Sequence, residues 1–205
     1  MLAIIVSGCT HTPQQTNSNS TSIENRIDND IEIKLSSFNS SKFKQVTATF
    51  YTTQSKALVF RVVSDLELAP KWFANLSSIE TLAIYDNSRF LLSSVLSSPW
   101  PFQDRQLITC VNTQFLAQST HVTLKTCPHQ QPLNKQLLSI SDAQSSWVIT
   151  QINEELVQVR YQAWIDPAGY VPAVLFNTLL NTTTRRSLTK LRILISNAKT
   201  EDYAY

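Results

Sequence analysis

Trp164-Ile-Asp-Pro-Ala-Gly-Tyr-Val-Pro172, leading directly into Ala173-Val-Leu-Phe-Asn-Thr-Leu-Leu180, is the stretch on which the fold turns. Pro172 has a fixed φ and lacks an N–H that the first helical turn would leave unpaired anyway, so it opens a helix at its first position. Neither Gly nor Pro follows before Asn197, which predicts a helix of about seven turns. Val174, Leu175, Leu179, Leu180, Leu188, Leu191 and Ile195 make one apolar side at helical spacing, and Arg185, Arg186, Lys190 and Arg192 populate the rest. Such a helix must lay its apolar side on something, and the chain ahead of it supplies strands.

Ile31, Ile33 and Leu35 alternate with polar residues, and a second run leads from Phe43 through Val46 to Phe50, so two strands flank a turn near Asn39. Ser55 is an N-cap for Lys56-Ala-Leu-Val-Phe-Arg-Val-Val63, a helix predicted to stop before Pro70. Further strands are predicted over 79–85, 90–97, 107–113, 122–126, 137–140, 147–152 and 156–165. Short turns at Asp86-Asn87, Ser119 and Asn153-Glu154 join many of them, which argues for an antiparallel meander. The fold class is therefore α+β: a curved antiparallel sheet wrapped around one long C-terminal helix, with a space between them that side chains need not fill.

Three motifs make the reading specific. Ala69-Pro-Lys-Trp72, Ser98-Pro-Trp-Pro-Phe-Gln-Asp-Arg105 and the 164–172 stretch before its helix resemble, in order and spacing, the StAR-related lipid-transfer (START) domain. The resemblance spans about 30–195 and implies the helix-grip fold with an internal cavity for one lipid. Departures are visible: the family's Asp-Pro-Gly-Gly is Asp166-Pro-Ala-Gly169 here, and Gln106 stands where an acidic residue often follows the arginine. Of the N-terminal helix of longer members, at best a remnant stands around Ile23 to Ile27. Sterol-binding relatives carry a charged pair inside the cavity; the matching positions here are Leu92 and Val111, which points to a more apolar contact such as an acyl chain.

Composition narrows the function classes. The chain has two glycines, Gly8 and Gly169, whereas dinucleotide folds and P-loops need several in one loop for close backbone approach to phosphates. A net charge of +2 with no basic stripe sets nucleic acid aside. No Gly-x-Ser-x-Gly elbow supports nucleophilic hydrolysis. His121 and His129 lack the spacing of a metal site and read as surface histidines, so no metal or other cofactor is expected.

Met1 to Val6 is too short an apolar run to span a membrane, and with Ser7-Gly8-Cys9 it resembles the lipobox of bacterial lipoproteins, in which the cysteine sulfur is diacylated. The basic residues that the resemblance leads one to expect ahead of the run are missing, so a start further upstream is an expectation of the lipobox reading. Residues 10–22 are polar without one aliphatic side chain, and residues 10–29 read as a flexible tether. The expected organisation is a signal segment over 1–9, the tether, a lipid-binding domain over 30–199 and a tail over 200–205. Thr10 stands where an Asp would resemble an inner-membrane retention signal, so the resemblance favours a periplasm-facing outer-membrane lipoprotein.

A hairpin turn centred on Gln118 and Ser119 sets Cys110 opposite Cys127, where an oxidising compartment allows either a disulfide or two free thiols. That register puts Leu107, Thr109 and Val111 with Val122, Leu124 and Thr126 on one charge-free face. Leu92, Ser94 and Leu96 form the inward set of the preceding strand, and Tyr161 supplies one hydroxyl. With Leu175 and Leu179 of the helix these are the expected lipid-binding residues. Trp72, Trp147 and Trp164 read as core. Arg105 beside Asp104 reads as a loop-anchoring ion pair, with a headgroup cation as the alternative. The loops over 98–104 and 166–171 are the expected gate, with Trp100, Phe102 and Tyr170 as membrane contacts and Pro99 and Pro101 presetting the backbone around Trp100.

The leading function is thus binding of a lipid or other hydrophobic small molecule for transfer or sensing, by a monomer attached to the membrane through its lipid anchor, without catalysis. Two rivals stand beside it. One is an enzyme of the cyclase/aromatase type on the same fold; the other is an envelope scaffold whose interior is filled by side chains.

Overall fold

Alternating apolar residues build a sheet that holds the C-terminal helix against its concave face. The structure, a computed structural model, describes residues 30–98, 102–128, 134–199 and 201. Among these residues the strands are β1 (Glu32–Ser36), β2 (Gln45–Thr52), β3 (Leu76–Ile84), β4 (Arg89–Leu96), β5 (Arg105–Phe115), β6 (Ser119–Thr126), β7 (Leu138–Ile140), β8 (Ala143–Gln151) and β9 (Val157–Ile165). The helices are α1 (Lys56–Ser64), α2 (Ala69–Trp72) and α3 (Ala173–Asn197). The nine strands form one sheet, eight of them in the order β1-β2-β9-β8-β6-β5-β4-β3 and β7 off this path beside β5, and α1 and α2 carry the chain from β2 to β3 at the opposite edge.

The meander needs one correction, at β7. β6 ends at Thr126 opposite Thr109, and β7 takes the place beside the start of β5, running parallel to it through Arg105↔Leu138 and Leu107↔Ile140. The hairpin register is also corrected. Cys110 faces Lys125, not Cys127, because the turn is centred on Ala117 and Gln118. The shift is two residues, so every side chain keeps its face. Cys110 and Cys127 are nevertheless joined by a disulfide across the diagonal, with Cα atoms 5.7 Å apart.

Ser55 caps α1, its Oγ accepting from the Leu58 N–H at 3.2 Å. Pro70 does more than follow that helix: it lies in the first turn of α2, where its missing N–H removes no helical bond. Pro172 sits at the N-cap of α3, one residue before the first helical position expected for it.

The two halves of α3 differ. Leu188, Leu191 and Ile195 are fully buried with Val46, Phe50, Val59 and Val159. Val174 is 82% exposed, and Leu175 and Leu179 are nearly half exposed. The apolar side that is continuous in sequence is therefore packed mainly in the second half, with Leu180 the first-half residue against the core, because the first half crosses a cavity. Polar contacts hold that first half: the Lys44 N–H donates to Asn177 Oδ1 at 2.8 Å, and Asn177 Nδ2 donates to the Lys42 carbonyl at 3.1 Å. Further along, Ser187 Oγ accepts from the Ala74 N–H and donates to the Thr183 carbonyl, both at 2.9 Å, tying the turn after α2 to the helix.

Candidate functional site

The inner face of the sheet, α1, α2 and the first half of α3 enclose a cavity of about 1120 Å³. Pockets for drug-sized ligands run to roughly 1,000 Å³, so this one has room for a larger, lipid-sized molecule. Strand alternation positions its walls. Leu92, Ser94 and Leu96 of β4 line it, as do Leu107, Thr109 and Val111 of β5. Leu124, Tyr161, Leu175 and Leu179 complete the expected set, and all ten residues meet at this one space.

Aromatic side chains close the deep side. Trp72 meets Trp147 edge-on with centroids 5.8 Å apart, and Trp147 lies 4.4 Å from Tyr161. Trp72, Trp147 and Trp164 are all buried, as expected of core residues, but the three also line the cavity. Burial pushes the Tyr161 hydroxyl far above the ordinary tyrosine pKa, so it stays a neutral hydrogen-bonding group. Trp72 Nε1 is fully enclosed without a partner among the described residues.

Among the described residues of the two expected gate loops, Ser98 and Phe102 of one and Pro167 and Val171 of the other line the cavity beside Leu175 of α3, and we call this end its mouth. Phe102 lines the cavity, half-buried; Tyr170 does not line it and is 93% exposed. Trp100, Pro99 and Pro101 lie outside the described residues, as do Cys9, His129 and the 1–29 segment.

Arg105 departs from expectation. It forms no ion pair with Asp104, whose Oδ1 accepts from the Ser98 N–H at 2.8 Å. Its Nε donates to the Pro167 carbonyl at 2.6 Å, and Nη1 donates to the Gln103 carbonyl at 2.8 Å and to Ser98 Oγ. The side chain is buried, and desolvation pulls its pKa below the ordinary arginine value, with the Asp104 charge opposing. The expected charge-free inner face is corrected here: Lys44, Arg105 and Arg186 all line the cavity. Arg105 was within reach of the sequence, since extending the alternation of β5 back from Leu107 puts it inward. Phe60 and Val63 of α1 also line the cavity and were missed; they flank the core-facing Val59 and Val62. No cluster of metal-ligating side chains occurs among the described residues.

The fold and cavity define a helix-grip protein. Solved structures with this architecture include a STAR-related lipid transfer protein from Xanthomonas axonopodis, 20% identical with a TM-score of 0.73, covering 82% of this chain and 94% of that one. Human STARD10 matches with a TM-score of 0.74 at 14% identity, over 92% of this chain and 84% of that one. A Streptomyces aromatase/cyclase is more distant, at a TM-score of 0.51 and 10% identity over 74% of this chain and 90% of that one. Among curated proteins, an uncharacterized protein of Pseudomonas aeruginosa is 22% identical over 151 residues, 73% of this chain and 74% of that protein. No protein-family model matches the chain. The fold is that of the StAR-related lipid-transfer domains.

Proposed function

We propose that this domain, as a monomer, binds one lipid-like hydrophobic molecule in its cavity, for lipid transfer or sensing in the bacterial cell envelope, and that it is not an enzyme. The observation that carries the reading is the largely apolar space of about 1120 Å³ between sheet and helix. A scaffold without a ligand would fill that space with Phe, Trp and Leu side chains. The Leu92 and Val111 walls favour an acyl chain. The non-catalytic reading is supported by a lining with no Asp, Glu, His or Cys among the described residues, whereas cyclase chemistry needs convergent titratable groups. The envelope reading rests on Cys9 in its lipobox-like setting, and the Cys110–Cys127 disulfide supports an oxidising compartment. Native mass spectrometry of gently purified protein tests the proposal. Extra lipid-sized mass is expected; protein that is uniformly empty and also refuses fluorescent lipids sinks it.

A further inference from the structure

We infer that the ligand carries an anionic headgroup, a carboxylate or a phosphate, and that the Arg105 guanidinium at the cavity mouth receives it. The inference rests on the lipid-binding reading above and narrows it to one headgroup chemistry.

Arg105 is only 8% exposed, yet no carboxylate pairs with it among the described residues. Its Nε and Nη1 are spent on two carbonyls and a hydroxyl, which solvate the cation without neutralising it. Nη2 has no hydrogen-bond partner among the described residues. It is also not sealed off, since Trp72 Nε1 is the one enclosed side-chain atom there that lacks a partner. Nη2 therefore has open space next to it, and the cavity is the space that Arg105 lines. Asp104 acts on this cation only from beyond ion-pair distance, its Oδ1 taken by the Ser98 N–H, so a largely buried guanidinium lacks a direct partner, and an anionic ligand would supply one.

The rest of the lining agrees. Its charged members among the described residues are Lys44, Arg105 and Arg186, with no Asp or Glu. A guanidinium presents a planar fork of donors suited to carboxylate or phosphate oxygens. From Arg105 the inward positions of β5 run through Leu107, Thr109 and Val111 to Thr113, about 27 Å at the strand rise. A head held at Arg105 thus leaves a long, mostly apolar path for an acyl chain. The same guanidinium joins the two mouth loops, through Ser98 and Gln103 on one and Pro167 on the other, so the headgroup would sit at their junction.

Chain-matched pairs of probes test this on the delipidated full-length chain: oleate against oleyl alcohol, and dioleoyl phosphatidate against dioleoylglycerol, read by displacement of a fluorescent fatty-acid probe. The charged member of at least one pair is expected to bind about tenfold or more tightly than its neutral partner. In Arg105→Gln the ratio should fall to near one, and Arg105→Lys, which keeps the charge but not the fork, should restore it only in part. Equal affinity within both pairs in the unmodified protein overturns the inference, and that comparison stands even if the variants do not fold. Displacement by acetate or inorganic phosphate alone, at the concentrations used for the lipids, would assign the site to a free anion and overturn the headgroup. Binding of all four lipids alike would leave the lipid reading in place and remove only this step. Displacement by none of the four from a chain that does bind the fluorescent fatty acid would likewise remove only this step, whereas a chain that takes up no fluorescent fatty acid would remove both.

Discussion

Ala168 and Gly169 lie side by side in the left-handed region, with φ of 57° and 65°. The Ala168 N–H donates to Asp166 Oδ1 at 3.0 Å, which closes the turn that aims the chain into α3. A Cβ in this conformation meets its own backbone at a cost of roughly 1–2 kcal/mol, whereas glycine adopts it freely but loses about 0.4–1 kcal/mol through the unfolded chain. Ala168→Gly is therefore expected to stabilise the domain by about 0.5 kcal/mol, a rise of one or two degrees in Tm by scanning calorimetry. An unchanged or lower Tm would mean that the loop already absorbs the strain. The converse holds at Gly169, where an added Cβ would lie 3.0 Å from Leu138 Cδ2. At this scale the inward-facing residues of β4 and β5 were legible because alternation has period two and a two-residue register error does not move them. The hydrogen-bond partners of Arg105 were not, since Pro167 lies 62 positions away and only the fold brings its carbonyl there.

The first half of α3 is the less buried half, and it is the element expected to move if the cavity opens. Its exposed Val174 and half-exposed Leu175 and Leu179 contribute little burial, so Asn177, bonded to both Lys42 and Lys44, and the edge-on contact of Phe176 with Phe43 anchor it to the turn between β1 and β2. Asn177→Ala removes both side-chain bonds, worth about 1–3 kcal/mol in sum and at an exposed site near the lower end. Uptake of a fluorescent fatty acid should then run several-fold faster while Tm changes by only a few degrees; an unchanged uptake rate would show that this half of the helix does not limit access. The length of α3 was readable because nothing breaks the helical pattern before Asn197. Its uneven burial was not, because Leu179 and Leu188 look alike on a helical wheel, and only the course of the sheet decides which one meets protein and which one meets the cavity. The parallel pairing of β7 was hidden for a similar reason: three residues carry too little alternation to specify a partner.

For the whole molecule, the proposed lipid exchange predicts that the exposed side chains near the mouth meet the membrane. No described helix is long and apolar enough to cross a membrane; Tyr170 at 93% exposure and Val174 at 82% stand beside the cavity lined by Leu175 and Leu179, and under the proposed function they are the side chains that would touch a lipid surface. Tyrosine suits an interface because its ring enters the apolar layer while its hydroxyl stays wet. Side chains this exposed add little to the core, and changes at such positions usually shift stability by less than about 0.5 kcal/mol. Inserted into a lipid surface, the same two side chains would bury apolar area worth about 1–2 kcal/mol together. Tyr170→Ala combined with Val174→Ser is therefore expected to slow lipid exchange with vesicles by on the order of tenfold, the rate equivalent of that burial. Uptake of a fatty acid delivered from cyclodextrin should stay at the unmodified rate, because that route needs no membrane contact. Trp100→Ala belongs to the same series and is expected to act in the same direction. Equal slowing by both routes would place these residues in the path of the ligand instead, and a large fall in Tm would place them in the core.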